Sequence, residues 1–380
     1  MEFIDLKAQY NELKDKIDNN IAKVLNDGNY IMGEEVKKLE EELADYVGVK
    51  YCATCANGTD ALQIALMCYD VKPGDAIFVP SFTFFSTAEI VSILGATPIF
   101  VDVDLRTFNM DPEKLEKAIK DVKAKTKLNP RGVIAVDLFG LPANYPMIRK
   151  IVDEYNLFLV EDGAQGFGGS INGQKACSFG DISTTSFFPA KPLGCYGDGG
   201  AIFTNKKELY DLITSYRVHG KGTEKYDNVR IGMNSRLDTI QAAILLVKLE
   251  AFKTSELESR QVFAKLYTDK LKNYVATPLI ENDYMSSYAQ YTLILDTEEQ
   301  RDFLKNYLNK NGIPSMIYYP KPLHKQKVYK EYDFNLDDLN TSEELSKRVL
   351  SLPMHPYMNG ELINDICNHV IKGLEEYKNE

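Results

Sequence analysis

The chain has 380 residues, a length that calls for about two domains, and its 44% hydrophobic and 26% charged side chains support a sizeable globular core. A formal net charge of −11 argues against a non-specific nucleic-acid binder, while leaving room for a local basic pocket around a phosphorylated small molecule. No apolar run has bilayer-spanning length, MEFIDLKAQY lacks the pattern of an export signal, and six scattered cysteines are too few for a disulfide framework; the expectation is a cytoplasmic protein with reduced thiols that engages no membrane.

Along the chain, residues 33–47 place Val36, Leu39, Leu43 and Tyr46 on one helical face. A short strand around 50–55 follows, where the Cys52 and Cys55 pair has no second pair to complete a zinc site; it reads as small residues in a buried strand, and no metal is expected. Next come a helix over 58–69, a strand over 76–79, a helix over 84–94 and a β-branched run at 97–103. VIAVDLF (133–139) and LFLVED (157–162) read as buried strands with a helix at 145–155 between them. This alternation predicts an α/β layered domain with a mostly parallel sheet. Beyond about 235 the texture changes. Residues 236–273 form a long helical stretch, and the rest mixes a strand (288–295) with helices (299–310 and 341–350). The expected division is a large domain over 1–250 and a smaller α+β domain over 251–380.

In open α/β sheets ligands bind at the carboxyl ends of strands, and four segments there carry chemistry. In SFFPAKPLGCYGDGGAIFT (186–204), Lys191 follows an aromatic run and precedes a glycine-rich turn. A lysine desolvated in such a place offers a neutral amine for a Schiff base; an ordinary loop lysine is the alternative. In LVEDGAQGFGG (159–169), Asp162 ends a buried strand, where a carboxylate needs a positive partner such as the pyridinium nitrogen of pyridoxal 5′-phosphate (PLP), and Gln165 can bond a ring substituent. The alternative is a carboxylate capping the next helix. A dinucleotide loop is disfavoured, because Ile171 stands where G-x-G-x-x-G needs its third glycine. In CANGTDALQIAL (55–66) a helix opens directly after a strand, a terminus suited to phosphate or simply a capped helix, with Thr59 adding a hydroxyl. In VPSFTFFSTAE (79–89), Phe84 can stack on a flat heterocycle or pack in the core.

With these segments in this order, the chain resembles the DegT/StrS-type nucleotide-sugar aminotransferases, a branch of the fold type I PLP enzymes. The likeness runs from FIDLKAQY (3–10) through NGTDAL (57–62), EDGAQGFG (161–168) and NSRLDTIQAAIL (234–245) to LSLPMHPYM (350–358). The resemblance implies a large α/β/α PLP domain, mostly parallel, and a smaller α+β domain. It implies that Lys191 holds the cofactor and shuttles the proton, Asp162 pairs with the pyridinium nitrogen, Gln165 meets the ring hydroxyl and Phe84 stacks on the ring. Thr59, the Asp60 backbone N–H and Ser186 are expected to bind the phosphate, joined by Asn234 from the partner of a homodimer with shared sites. The implied reaction moves an amino group, usually from glutamate, onto carbon 3 of a UDP-linked 3-keto-N-acetylglucosamine or its uronic acid, for surface glycan biosynthesis.

Two departures bear on the substrate. Gly163 replaces a frequent Ala, a local backbone tolerance. Tyr318 stands where relatives often carry His, in a neighbourhood that meets the substrate of uronate-specific members; Arg236 offers a clamp for a sugar carboxylate. His219 and His324 fall in family-like segments and are further candidates for substrate contact, beside ordinary structural roles. Lys191 is present where dehydratase relatives carry His, which favours transamination. The competing readings are amination at carbon 4 of a UDP- or dTDP-linked 4-keto-6-deoxy sugar, and a non-catalytic regulatory or scaffold protein on the same fold.

Overall fold

The computed structural model describes residues 1–224, 226–330 and 339–379. Helix α1 (Leu6–Asp27) is capped by Asp5, whose carboxylate accepts the Ala8 N–H at 2.8 Å. Helix α2 (Glu34–Val47) buries the Val36, Leu39 and Leu43 stripe, and Tyr46 on that face stacks on Phe167 at 5.2 Å. The βα alternation then runs β1 (Tyr51–Cys55), α3 (Gly58–Met67), β2 (Asp75–Pro80), α4 (Ser86–Ile93), β3 (Thr97–Val101), α5 (Pro112–Lys125), β4 (Asn129–Val136), α6 (Tyr145–Glu154) and β5 (Phe158–Asp162). A small hairpin of β6 (Ser170–Ile171) and β7 (Gln174–Lys175) precedes β8 (Ile182–Ser186), β9 (Gly200–Thr204) and α7 (Lys207–Tyr216).

Seven strands form one sheet in the order β1-β9-β8-β5-β4-β2-β3. β9 runs antiparallel to both neighbours and the remaining pairs are parallel. Successive strand residues point to opposite faces. In β2, Ile77 and Val79 pack with α3 and α4 on one face, while Ala76 and Phe78 pack with α5 and α6 on the other. A sheet covered on both faces explains the near-continuous apolar strands. It is the large, mostly parallel α/β/α layer that the resemblance implies.

The long helical stretch is α8 (Thr239–Ala251), a π-helical turn over Phe252–Glu256, and α9 (Leu257–Leu271). After it, β10 (Tyr284–Met285) pairs with β6, and β11 (Tyr291–Ile294), α10 (Glu298–Lys310), α11 (Asn340–Arg348), β12 (Val349–Leu352) and α12 (Gly360–Asn379) complete the described chain. β11 and β12 pair antiparallel, and the C-terminal elements share an apolar cluster that includes Tyr267, Tyr291, Leu304 and Ile366.

Two expected boundaries move. The strand read at 133–139 ends at Val136, because Asp137 starts a turn over Leu138–Gly140 in which Phe139 adopts φ 58°. The helix read at 341–350 stops at Arg348, where Val349 passes into the pairing with β11. Helices α1, α5, α7 and α12 escape the sequence reading. Yet α5 carries a legible start, with Asp111 accepting from Glu113 and Lys114 and Pro112 in the first turn.

Candidate active site

The chemistry-bearing residues gather at the carboxyl ends of β1, β5 and β8. At the start of α3 the Asn57 side chain accepts the Asp60 N–H at 2.8 Å. The Asp60 N–H, expected to hold phosphate, is therefore spent on the helix cap, and the open donors at this terminus are the N–H groups of Gly58 and Thr59, which have no acceptor among the described residues. The terminus keeps its positive dipole end and unpaired donors, both suited to an anion. A Cβ on Gly58 would meet Ser186 Cβ at 2.7 Å, so only glycine lets Ser186 lie against the helix start.

β8 ends at Ser186 and the chain enters a tight loop. Phe187 N–H donates to Gly199 O at 2.8 Å, Cys195 N–H to Phe187 O at 2.8 Å and Lys191 N–H to Phe188 O at 2.9 Å. Gly194 has no room for a side chain, since a Cβ would sit 2.6 Å from the carbonyls of Phe188 and Pro189. The loop fixes Lys191 with its side chain partly buried and its Nζ without a hydrogen bond or ion pair among the described residues. Burial lowers the Lys191 pKa and Asp162 counteracts part of that fall.

Asp162, the last residue of β5, is buried. Its carboxylate accepts from Thr87 Oγ1 at 3.0 Å and from Ala164 N–H at 3.2 Å. Desolvation nevertheless raises its pKa, with Ala164, Thr87 and Lys191 pulling the other way. A buried carboxylate in this condition calls for a further cation. Gln165 Oε1 accepts the Phe139 N–H at 2.6 Å, so its amide hydrogens face Tyr319, whose hydroxyl accepts one at 3.1 Å. The Phe84 ring is 55% exposed and lies 6.2 Å from the Tyr319 ring. Lys191, Asp162, Gln165, Phe84, Thr59 and Ser186 thus occupy neighbouring strand ends, as the sequence order suggests. Thr87 and Tyr319 are additions. Thr87 had a local signal in the STAE turn after the aromatic run, and Tyr319 had none that separated it from Tyr318.

The other candidates lie differently. His324 is buried with both ring nitrogens engaged, Nδ1 with Ser81 Oγ at 2.6 Å and Nε2 with Glu343 at 3.1 Å. Both partners belong to the chain itself, the structural role weighed for this residue beside substrate contact. Tyr318 is half-buried, edge-on to Phe3 at 6.2 Å. His219 is exposed on the 218–232 loop. Asn234 is exposed and takes a hydrogen bond from Arg236, while between them buried Ser235 accepts the Ala56 N–H at 3.1 Å.

Asp162, Thr87 and the helix terminus have the donor set and charge that a phosphorylated pyridinium needs, and Lys191 has the free amine. A family model described as the DegT/DnrJ/EryC1/StrS aminotransferase family matches residues 11–371. A UDP-2-acetamido-2-deoxy-3-oxo-D-glucuronate aminotransferase of Pseudomonas aeruginosa is 47% identical over 97% of this chain and 98% of its own. A UDP-N-acetyl-3-dehydro-alpha-D-glucosamine 3-aminotransferase of Acidithiobacillus ferrooxidans is 39% identical over 98% and 97%. A crystal structure of a DegT DnrJ EryC1 StrS aminotransferase from Brucella abortus superposes with a TM-score of 0.95 at 48% identity, covering 97% of this chain and 98% of that one.

Proposed function

The chain belongs to the DegT/DnrJ/EryC1/StrS aminotransferase family, whose enzymes depend on PLP, and from that membership we propose that it aminates carbon 3 of a UDP-linked 3-keto-N-acetylglucosamine or its uronic acid. The observation that carries the position and the nucleotide is the near full-length match to two relatives named for UDP-linked 3-oxo sugars. Glutamate is the proposed amino donor, and surface glycan biosynthesis in the cytoplasm is the proposed setting. Arg236 is the proposed clamp for a sugar carboxylate, since a guanidinium binds a carboxylate through two parallel hydrogen bonds.

In this reading Gly58, Thr59 and Ser186 would hold the cofactor phosphate, Phe84 would stack on the ring and Gln165 would donate to its hydroxyl. PLP supplies an electron sink for the charge that develops when a carbon beside nitrogen loses its proton. Asp162 keeps that sink effective by holding a proton on the ring nitrogen, and Thr87 and Ala164 hold Asp162 in place. Lys191 Nζ, shifted towards its neutral form by burial, takes the proton from the amino donor's α-carbon and later delivers one to the sugar carbon.

The test runs the reaction in reverse on the PLP-loaded protein. Its yellow absorbance is expected to bleach with a UDP 3-amino sugar and to persist with dTDP or 4-amino sugars. Lys191→Ala is the blank, expected to lose transfer by at least about 10³-fold. Bleaching by a 4-amino sugar would replace the proposed position, and a wild-type protein that never turns yellow would sink the reading altogether.

A further inference from the structure

The Gln165 amide is held in a single orientation. The Phe139 N–H reaches Oε1 at 2.6 Å, and an N–H can only be accepted by the oxygen of the amide. The turn that presents Phe139 is itself braced, with Asn109 accepting the Leu138 N–H at 2.9 Å and Asp137 accepting from Ala143 and Tyr145. The Gln165 NH₂ is thereby directed at Tyr319, a residue brought in by the chain between α10 and α11, 154 positions away.

Tyr319 accepts through its oxygen, which leaves its own hydroxyl hydrogen without an acceptor among the described residues. Burial raises the Tyr319 pKa, with Asp162 and Tyr318 adding to the rise and Gln165 opposing it, so the group stays a phenol and a donor at neutral pH. The titratable groups acting on it are Asp162 at the end of β5 and Tyr318 beside it; Lys191 acts through Asp162. Gln165 has a second amide hydrogen to give. Two donors from distant parts of the chain, one on an amide and one on a phenol, meet here, and the Tyr319 ring lies 6.2 Å from that of Phe84.

We propose that the Tyr319 hydroxyl is a second hydrogen-bond donor, beside the Gln165 amide, to the ring oxygen of the bound cofactor. The inference rests on the cofactor reading above. A hydrogen bond to an ionised oxygen is worth about 1.5–3 kcal/mol, or roughly one to two pKa units. An oxygen that loses such a donor holds the proton it shares with the neighbouring imine nitrogen more tightly.

The experiment is a pH titration of the visible absorbance of PLP-loaded wild-type and Tyr319→Phe proteins. A midpoint higher by about one to two pH units is expected in Tyr319→Phe. The second measurement compares affinities for PLP and for 3-deoxypyridoxal 5′-phosphate, which lacks the ring oxygen. Tyr319→Phe is expected to weaken PLP by about tenfold or more and to leave the deoxy analogue unchanged. An unmoved midpoint, or an equal loss for both cofactors, overturns the proposal while leaving the enzyme reading intact. A wild-type protein that takes no colour overturns both.

Discussion

Below Asp162 two carboxylates share the interior of the sheet. Glu161 collects the N–H groups of Cys177, Phe179 and Gly180 and the Ser183 hydroxyl. Asp137 receives only Ala143 N–H and Tyr145 Oη on one oxygen, and its other oxygen has no partner among the described residues. Burial first and the Glu161 charge second push Asp137 far above the usual carboxylate range; burial raises Glu161 as well, but its hydrogen bonds from Ser183, Cys177 and Phe179 oppose the rise, so the shared proton goes to Asp137. The native state then binds a proton that the unfolded chain releases above about pH 4, which means this residue's contribution falls as pH rises towards its native pKa. Asp137→Asn keeps the neutral shape without the titration. Denaturant midpoints from pH 5 to 8 are expected to drop for the wild type relative to Asp137→Asn, by about 1.4 kcal/mol per pH unit at most. Parallel curves would show that Asp137 is ionised in the fold.

At the scale of elements, the long helix from α8 to α9 carries an unusual load around its π turn, a distortion often found at functional sites. Gln9 and Tyr357 both donate to Glu256 Oε1, at 2.9 and 2.5 Å. Around them Gln9 Oε1, Tyr196 Oη, Lys248 Nζ, Glu256 Oε2, Arg260 Nε and His355 Nδ1 are buried without a hydrogen-bond partner among the described residues. His355 is pushed down to about 4 by burial and by Arg260. Lys248 is 1% exposed, and burial lowers its ammonium to about 8, with Glu256 opposing. The unfolded lysine keeps its proton to about 10.4, so folding carries a penalty that is full below pH 8 and disappears as pH rises to about 10. The Tyr196 ring 4.8 Å from Nζ returns part of it. Lys248→Met is therefore expected to stabilise the protein by about 1–3 kcal/mol at pH 7 and by much less at pH 10, in paired urea unfolding curves. Equal gains at both pH values would place the effect in packing instead of charge.

At the scale of the whole molecule, the position of Asn234 decides whether one chain suffices. It is exposed, turned to Arg236, on a segment whose neighbouring loop displays Ile231 at 89% exposure. If two copies share their sites, mixing Lys191→Ala with Asn234→Ala after subunit exchange is expected to regenerate one intact site per mixed dimer, and activity returns. Failure of two inactive pools to complement would confine each site to its own chain. The strand-end residues were legible beforehand because each motif is local. A buried apolar strand must end, the next helix must start, and Lys191, Asp162, Thr59 and Ser186 sit within a few residues of those junctions. The α/β alternation was legible for the same reason, since burial on both sheet faces writes itself into consecutive residues. Other features depend on partners that no short window contains. Asn57 and the phosphate site compete for one N–H, and cap geometry gives it to Asn57. His324 is claimed by Ser81 and Glu343, and Tyr319, not Tyr318, reaches Gln165. A side chain's hydrogen-bond partner is chosen by what the fold carries to within about 3 Å, and only the folded chain makes that choice.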